Sequence, residues 1–360
     1  MNRLILLFFP VWAIASMSLN APSNTHQQIS EANVAPKTWS VYATLDGFYW
    51  KSSEEGLPYA IKANGIALIG TNDPFLGYKN RSNNPKFEWD PGFRIGLGCQ
   101  LPFDDWNFFS KYTRFTNQAK GKVQSDFPSL DIGILPLIGN WPANDDFPIF
   151  VQFASAHLNL DLNQIDFEML RPCQFSRTFF LTPHMGLRWA QIFQHLRVGY
   201  QNFYNLSKTQ IVNSLDQKYT NNFTGFGLLG GFDVEWSLFK CLSLVGQLSG
   251  SLLYGSFHCT QSSIYSPDIA KLLLCVPNGN YLSKFEQTQG ILDLQLGAAF
   301  FIPYRKHRKF LSLRIGYEEH LYFGQNNFLF TSSNFSYGLF NQNSGDLSFS
   351  GWTASAKIEW

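Results

Sequence analysis

Within the segment Leu347–Trp360, the residues from Gly351 onward alternate strictly between apolar positions and polar or glycine positions. Such period-two alternation predicts a β-strand with one apolar and one polar face. In water, a chain that stops on an aromatic residue at the end of such a strand would leave an exposed edge that is prone to aggregate. In a bacterial outer membrane, the same strand closes a barrel and turns its apolar face toward lipid. We interpret its apolar positions as a membrane-insertion signal: Trp352, Ala354, Ala356, Ile358 and Trp360.

The same alternation recurs upstream and predicts ten strands in all. The other nine lie at about 39–50, 93–100, 106–116, 151–167, 179–200, 225–236, 242–254, 292–302 and 311–321. The predicted fold class is all-β, a transmembrane antiparallel up-and-down β-barrel of about ten strands. Further strands within 60–70 and 123–137 would raise the number to twelve or more.

The connections between these segments alternate in length. Short ones are expected at 100–106, 168–178, 237–241 and 303–309, and long ones at 51–88, 117–149, 201–222, 261–289 and 324–346. Short periplasmic turns and long extracellular loops are typical of outer-membrane barrels. A soluble β-sandwich also alternates, but strands of ten or more residues with loops long on one side favour the barrel.

The N-terminus predicts export from the cytoplasm. An apolar run of eleven residues, Leu4–Ile14, follows the positive Arg3 and is too short to span a bilayer. We expect a signal peptide over 1–21, a flexible polar segment over 22–38 and the barrel over 39–360. A retained N-terminal anchor is the alternative.

The composition agrees with a barrel in the outer membrane of a Gram-negative bacterium. Aromatic residues make up 17% of the chain and charged residues only 15%, and no stretch of eighteen apolar residues predicts a helical span. The net charge of +1 gives no reason to expect nucleic acid as a partner. Tryptophans at predicted strand ends are expected to form aromatic girdles, with Trp50 and Trp89 at the outer rim.

Three stretches resemble a known family. They are GFYW at 47–50 with EGLPYA at 55–60, WDPGFRIGLG at 89–98, and TPHMGLRWA at 182–190. They are similar to the major outer membrane protein family of Legionella and Chlamydia-like bacteria, in patches over roughly Trp39–Trp360. Members of that family are described as pore-forming, so the resemblance implies a porin.

The inward-facing positions would decide what passes through the barrel. The residues expected to line a pore are Arg94, Asp161, His184, Arg188, Asp293, Arg314 and Glu318. Their mixed charge predicts a hydrated lumen with weak ion preference, through which small hydrophilic solutes and ions diffuse. The alternative is a structural or adhesive barrel whose interior charges pair and plug it. Ten strands lie nearer the filled end of the size range than the open end.

The sequence predicts no enzyme, no cofactor and no metal site. His157, Asp161, His184 and Arg188 could meet as an acid–base or metal site, but a lumenal hydrogen-bond network is the preferred interpretation. The run Glu318–His320 is interpreted as charge at a strand end. No nucleophile elbow, zinc-binding helix motif or phosphate loop occurs in the chain.

Five cysteines suggest covalent partners in an oxidising envelope. Cys259 and Cys275 flank one predicted external loop, and a disulfide between them would close a seventeen-residue ring worth roughly 3 kcal/mol. The odd number leaves a thiol that is free or linked to another chain, and the family resemblance suggests disulfide-linked envelope proteins as partners. Outer-membrane lipid and the barrel assembly machinery are further expected partners. A monomer and a homo-oligomer both stay open.

Overall fold

A computed structural model describes residues 39–64, 81–102, 106–125, 132–137, 150–204, 210–239, 241–265, 280–303, 310–331, 340–342 and 344–359. The expected signal peptide, the polar segment 22–38, Cys275 and Trp360 lie outside these residues. Within them, no helix has the length and apolar character needed to cross a membrane.

The described residues form seventeen strands. The first eight are β1 (Ser40–Glu54), β2 (Ala60–Asn64), β3 (Arg81–Asn83), β4 (Lys86–Phe87), β5 (Trp89–Gln100), β6 (Asn107–Gln124), β7 (Ile132–Pro136) and β8 (Phe150–Leu170). The others are β9 (Cys173–Gln174), β10 (Phe179–Tyr204), β11 (Gln210–Phe239), β12 (Leu242–Tyr265), β13 (Asn280–Pro303), β14 (Phe310–Tyr322), β15 (Leu329–Thr331), β16 (Phe340–Gln342) and β17 (Leu347–Glu359).

Ten of the described strands close into an antiparallel barrel. Their order around it is β8, β10, β11, β12, β13, β14, β17, β1, β5 and β6, and the pairing of β6 with β8 completes the circle. Closure pairs both edges of each of these ten strands with a neighbouring strand, as a bilayer requires of a strand that spans it. The predicted fold class and the strand number of ten are confirmed.

The segments 60–70 and 123–137, where further strands were expected, contain β2 and β7. These strands do not enlarge the barrel. β2 pairs with β7 and β3 and forms a small extension beside β8. The alternative of twelve or more barrel strands is therefore wrong for the described residues.

The prediction of a long loop over 201–222 is also wrong. β10 has 26 residues and β11 has 30, and only 205–209 separate them. A tilted transmembrane strand needs about 9–11 residues, so this hairpin extends far beyond the membrane. The loop expectation failed because the outward residues there are polar, as in a loop.

The barrel consists of two zones that differ in which face of each strand is apolar. On β10, Met185 and Leu187 point outward near the periplasmic end, whereas Leu196 and Val198 point inward near the outer end. Hydrocarbon surrounds the first zone and water the second, so the apolar face changes sides. We call these parts the membrane zone and the outer zone.

A row of residues paired in register marks the boundary between the zones on five neighbouring strands. This boundary row consists of Tyr112, Ile165, Trp189, Phe226 and Tyr254. Outward residues beyond it are mostly polar, as in Asn163, Gln191 and Thr224. Aromatic side chains are favoured where the bilayer meets water, so on each of these strands the row marks about where the strand leaves the membrane.

The last strand presents its apolar face outward, as the alternation predicts. Trp352 and Ile358 on β17 are more than half exposed, and Ala354 is exposed beside them. Trp50 corrects the girdle prediction: it points inward and is 1% exposed, stacked on Phe48. The outward aromatic partners at this rim are instead Tyr49 and Trp89.

Candidate functional site

Ionisable side chains meet inside the membrane zone because alternation turns the polar residues of every strand inward. On β8, Asp166 and Glu168 are buried while Phe167 between them is exposed. β10 does the same with Arg188 beside the exposed Leu187. We call the resulting group the interior network: Asp46, Arg94, Lys111, Asp166, Glu168, Arg188, Asp293, Glu318 and His320.

Arg188 spans the interior and is 2% exposed. Its Nε and Nη2 donate to the two carboxylate oxygens of Asp166 at 2.8 and 3.0 Å, a bidentate pair. Its Nη1 donates to Asp293 Oδ2 at 2.7 Å and to Ser251 Oγ at 3.1 Å. β13, which carries Asp293, is three strands away from β10 around the barrel. One guanidinium therefore links strands that are not neighbours in the barrel.

Arg94 makes a second crossing link. Its Nη1 lies 3.2 Å from Asp46 Oδ2 and 3.4 Å from Glu318 Oε2. The guanidinium carbon lies 5.6 and 5.7 Å from the ring centroids of Phe48 and Trp50, within cation–π range. The charge is thus held by carboxylates on one side and aromatic faces on the other.

His320 joins the two links. Its Nδ1 lies 2.7 Å from Asp293 Oδ1 and its Nε2 lies 3.5 Å from Glu318 Oε2. Trp50 Nε1 donates to Glu318 Oε1 at 3.1 Å, and Thr353 Oγ1 donates to the same oxygen. The carboxylates of Asp293 and Glu318 are therefore each shared between an arginine and this histidine.

Lys111 extends the network toward the periplasmic end. Its Nζ lies 2.7 Å from Glu168 and 3.5 Å from Asp166. The network holds three fixed cations and five carboxyl groups, so it is negative before His320 is counted. Below it, His184 Nδ1 lies 3.7 Å from Asp233 Oδ1. A wall of this charge would favour cations over anions.

The network leaves almost no free space. Between Arg94, Arg188 and His320 a cavity of about 20 Å³ remains for the centres of water molecules. One water needs roughly 10–15 Å³ on this measure, so one or two fit. The His320–Asp293 pair has acid–base geometry, but this cavity beside it is too small for a substrate.

The outer zone contains two clusters of buried apolar side chains, together with buried polar residues such as Glu54, Gln194 and Asn221. One buried cluster includes Trp50, Phe115 and Phe349, and another includes Leu158 and Leu196. These residues occupy the lumen above the interior network, so the two zones fill the barrel by different chemistry.

A segment of the β14–β17 connection folds into the outer mouth. Gly324 turns the chain with φ of +64°, a conformation that glycine adopts without strain. Gln325, Asn326 and Phe328 then reach complete burial. Asn221 Nδ2 donates to the Gln325 carbonyl at 2.7 Å. This segment, 324–328, lies inside the outer mouth.

Glu54 lies beneath this segment, in the outer zone. Its Oε2 accepts a hydrogen bond from Gln194 Nε2 at 2.7 Å, and its Oε1 has no partner among the described residues. Burial raises the pKa of Glu54 to about 8, and the hydrogen bond from Gln194 offsets only part of that rise.

We expect E54Q to stabilise the barrel at pH 8 but not at pH 4. Above pH 4.5 the unfolded carboxyl loses its proton while the folded one keeps it, so wild-type stability falls up to about pH 8. The loss is on the order of 1.4 kcal/mol for each pH unit, and an amide removes it. Urea unfolding in detergent at both pH values measures the difference.

The exposed neighbour Glu55 supplies the control, because E55Q removes the same charge from solvent. E55Q should change stability by under about 0.5 kcal/mol at both pH values. An equal effect of E54Q at pH 4 and pH 8 would contradict the buried, proton-binding role of Glu54.

Six of the seven residues expected to line a pore do face the interior. Arg94, Arg188, Asp293 and Glu318 belong to the interior network, while His184 and Arg314 lie nearer the periplasmic end. Whether any of them lines an open pore stays a prediction.

Asp161 corrects the prediction. Its carboxylate is outside the barrel, paired with Arg114 Nη2 at 2.9 Å, whereas Leu160 and Leu162 beside it are buried inside. The expectation assumed that apolar residues face lipid along the whole of β8, but this part lies in the outer zone. His157 is outward for the same reason, so it does not join His184 and Arg188. Glu318 and His320, interpreted as charge at a strand end, lie inside the membrane zone.

Sequence reasoning missed Lys111, Asp166 and Glu168. Asp166 and Glu168 alternate with apolar outward residues, as Asp166 does between Ile165 and Phe167, whereas Lys111 lies between Ser110 and Tyr112. The alternation around Asp166 is visible in the sequence. However, the longer series of alternating apolar residues at 154–162 led to the opposite face being predicted as inward for the whole strand.

The predicted Cys259–Cys275 disulfide is not confirmed, since Cys275 lies outside the described residues. Cys259 is a free thiol, 1% exposed, that faces the interior and donates to Asn221 Oδ1 at 3.5 Å. Burial raises the pKa of the Cys259 thiol to about 12, which makes it a poor nucleophile. Cys99, Cys173 and Cys241 are also free. Their linkage to other envelope proteins stays a prediction.

The profile of one protein family matches almost the whole barrel. This family, described as Legionella pneumophila major outer membrane protein precursor, covers residues 34–360. The chain belongs to this family. Membership confirms the resemblance found in three stretches of sequence and places the protein in the outer membrane of a Gram-negative bacterium. No curated protein sequence matches the chain.

Solved structures similar to this member of the family are remote. The outer membrane protease OmpT of Escherichia coli is 9% identical, with 89% of this chain and 96% of that chain covered and a TM-score of 0.42. The toluene transporter TodX of P. putida is 11% identical over 92% of each chain, with a TM-score of 0.28. A major outer membrane protein of Thermus thermophilus is 10% identical over 86% of this chain and 98% of that chain, with a TM-score of 0.27. Likenesses at this level carry no argument about activity or transport.

Proposed function

We propose that this protein is a structural barrel of the outer membrane whose lumen is closed to passive diffusion. One observation carries the proposal: Arg188 bridges Asp166 and Asp293 across the barrel and is 2% exposed. A hydrated ion needs a continuous wet path, and this side chain lies across it. The protein then serves the envelope through its wall and its surface.

The outer zone supports the same function. Trp50, Phe223 and Phe257 are at most 1% exposed within one apolar cluster. The segment 324–328 lies over the mouth. Opening a path would require both the ion pairs and this apolar core to rearrange.

A second candidate is a porin for small hydrophilic solutes and ions. It is favoured by the charged wall of the membrane zone, because a barrel needing only stability could fill this space with apolar side chains. In that case the interior network acts as a gate that another condition opens.

We expect purified wild-type protein to give no stepwise conductance in planar bilayers at neutral pH, because the described lumen is filled. Liposomes containing it should not swell in sugar solutions faster than empty liposomes. The variants R188M and R114M are measured in parallel, since Arg188 lies in the lumen and Arg114 outside the barrel.

Conductance steps that R188M changes and R114M leaves unchanged would establish a channel through the lumen and replace the structural proposal by the porin. Steps that neither variant changes come from a contaminating channel and leave the lumen closed. Circular dichroism of each sample confirms that the barrel is folded.

A further inference from the structure

Five basic residues lie side by side on the outward face of the outer zone. Lys86 pairs with Lys120, Lys120 with His157, His157 with Arg197, and Arg197 with Lys218. Neighbouring strands are about 4.8 Å apart, so the row extends over roughly 19 Å. We call these residues the basic row.

The basic row points into solvent. Lys86, Lys120, Arg197 and Lys218 are exposed, and the residues that precede or follow them in the strands are buried inside. Within the described parts of the chain, no carboxylate lies within 4 Å of any member. Asp216 lies on the same face two residues from Lys218 but forms no ion pair with the row among the described residues, and Asp161 is paired with Arg114. The charges are therefore available to a partner.

Such a row is unfavourable without a partner. Like charges directly opposite on paired strands repel each other. The effect is visible at His157: partial burial lowers its pKa, and the charges of Lys120 and Arg197 lower it further. His157 Nε2 is buried without a hydrogen-bond partner in the described residues. An anion bound along the row would relieve this repulsion.

The height of the row identifies the kind of anion. Each of Lys120, His157, Arg197 and Lys218 lies eight residues beyond the boundary row on its strand. At about 3.3 Å per residue and a tilt near 40°, this is about 20 Å above the membrane surface. Acyl chains do not reach this level, but the sugar core of lipopolysaccharide in the outer leaflet does.

We infer that the basic row binds the phosphate and carboxylate groups of the lipopolysaccharide core in the surrounding outer leaflet. Lysine and arginine are the usual partners of phosphate, and a row of them matches several anionic groups along one sugar chain. The site lies on one side of the barrel. Beyond Lys218 the row continues with the uncharged Ser262 and Asn280.

The experiment compares lipopolysaccharide binding by folded protein in detergent. The variant K120Q/R197Q/K218Q removes three charges of the row. Its control removes three equally exposed charges elsewhere, in K51Q/R177Q/K284Q. The probes are lipopolysaccharide from a Gram-negative outer membrane and the same material after enzymatic dephosphorylation, each titrated at low and high salt.

We expect the row variant to bind lipopolysaccharide at least tenfold more weakly than wild type, and the control to stay within twofold. Wild-type binding should weaken with salt and at least tenfold on dephosphorylation. Equal loss in both variants would overturn the inference, because overall charge would then decide binding. So would wild-type affinity in the row variant, or undiminished binding of the dephosphorylated probe. Capture of free polyphosphate by wild type without binding of lipopolysaccharide would also overturn it, since the source would not be the membrane.

Discussion

R188M lowers the free energy of unfolding by about 3–5 kcal/mol. The substitution keeps most of the side-chain volume but leaves the carboxylates of Asp166 and Asp293 buried without their arginine. A buried charge without a partner is among the most destabilising changes a folded protein meets. Urea unfolding of detergent-solubilised protein, followed by β-sheet circular dichroism, measures the loss.

The matched control is R114M. Arg114 also pairs with an aspartate at 2.9 Å, but both side chains are about one-third exposed on the outer face. Exposed pairs of this kind contribute about 0–1 kcal/mol, so R114M should have little effect. R188M/D166N/D293N should recover part of the lost stability, because no unpaired charge then remains. Equal effects of R188M and R114M would be incompatible with a desolvated interior network.

W50A costs about 3–5 kcal/mol, the usual result of emptying a large buried aromatic site. The Trp50 ring stacks on Phe48 at 3.7 Å and lies 4.7 Å from the His320 ring. Its indole nitrogen also donates to Glu318. The variant therefore opens a cavity at the point where the apolar outer zone meets the interior network, and it removes one hydrogen bond from a buried carboxylate. The same urea unfolding experiment quantifies it.

W352A is the control for this change, because Trp352 faces lipid and is 58% exposed. Its removal leaves a space that detergent or lipid fills, so no internal cavity forms and the loss should be clearly smaller. If W352A cost as much as W50A, aromatic content in general, rather than burial inside the barrel, would explain the stability.

R188M and W50A both test the difference between the interiors of the membrane zone and the outer zone. Arg188 lies in a polar layer that a soluble barrel would place outside, and Trp50 lies in an apolar layer that a membrane barrel would place outside. Each is inside because its strand passes through two different solvents. In the membrane zone, charged residues face the interior and apolar residues face lipid. In the outer zone, large apolar residues face the interior, as in a water-soluble barrel.

The strand positions followed from local alternation, and so did the number ten. Alternation depends only on successive side chains pointing to opposite faces, and β5 shows it clearly over Phe93–Cys99. The inward position of Arg94, Asp293 and Glu318 followed as well, since apolar neighbours on the same strands had to face lipid.

Which face of β8 points inward could not be predicted from alternation. Leu158, Leu160 and Leu162 alternate with polar residues as regularly as any lipid-facing set, and yet they point inward. The same alternation would be seen whether these leucines faced lipid or the interior of the barrel. Which face of this segment contacts water depends on where the segment lies relative to the boundary row. That position also explains why Asp161 points outward.

The sequence by itself determined that this chain forms an exported, aromatic-rich antiparallel barrel, because period-two alternation and one-sided loop lengths are local properties. Tertiary structure alone decided which residues meet inside the described barrel. Arg188 meets Asp166 and Asp293, which are 22 and 105 positions away in the chain, and the segment 324–328 turns into the mouth. Such encounters are set by barrel curvature and strand register, which no single strand carries in its own pattern.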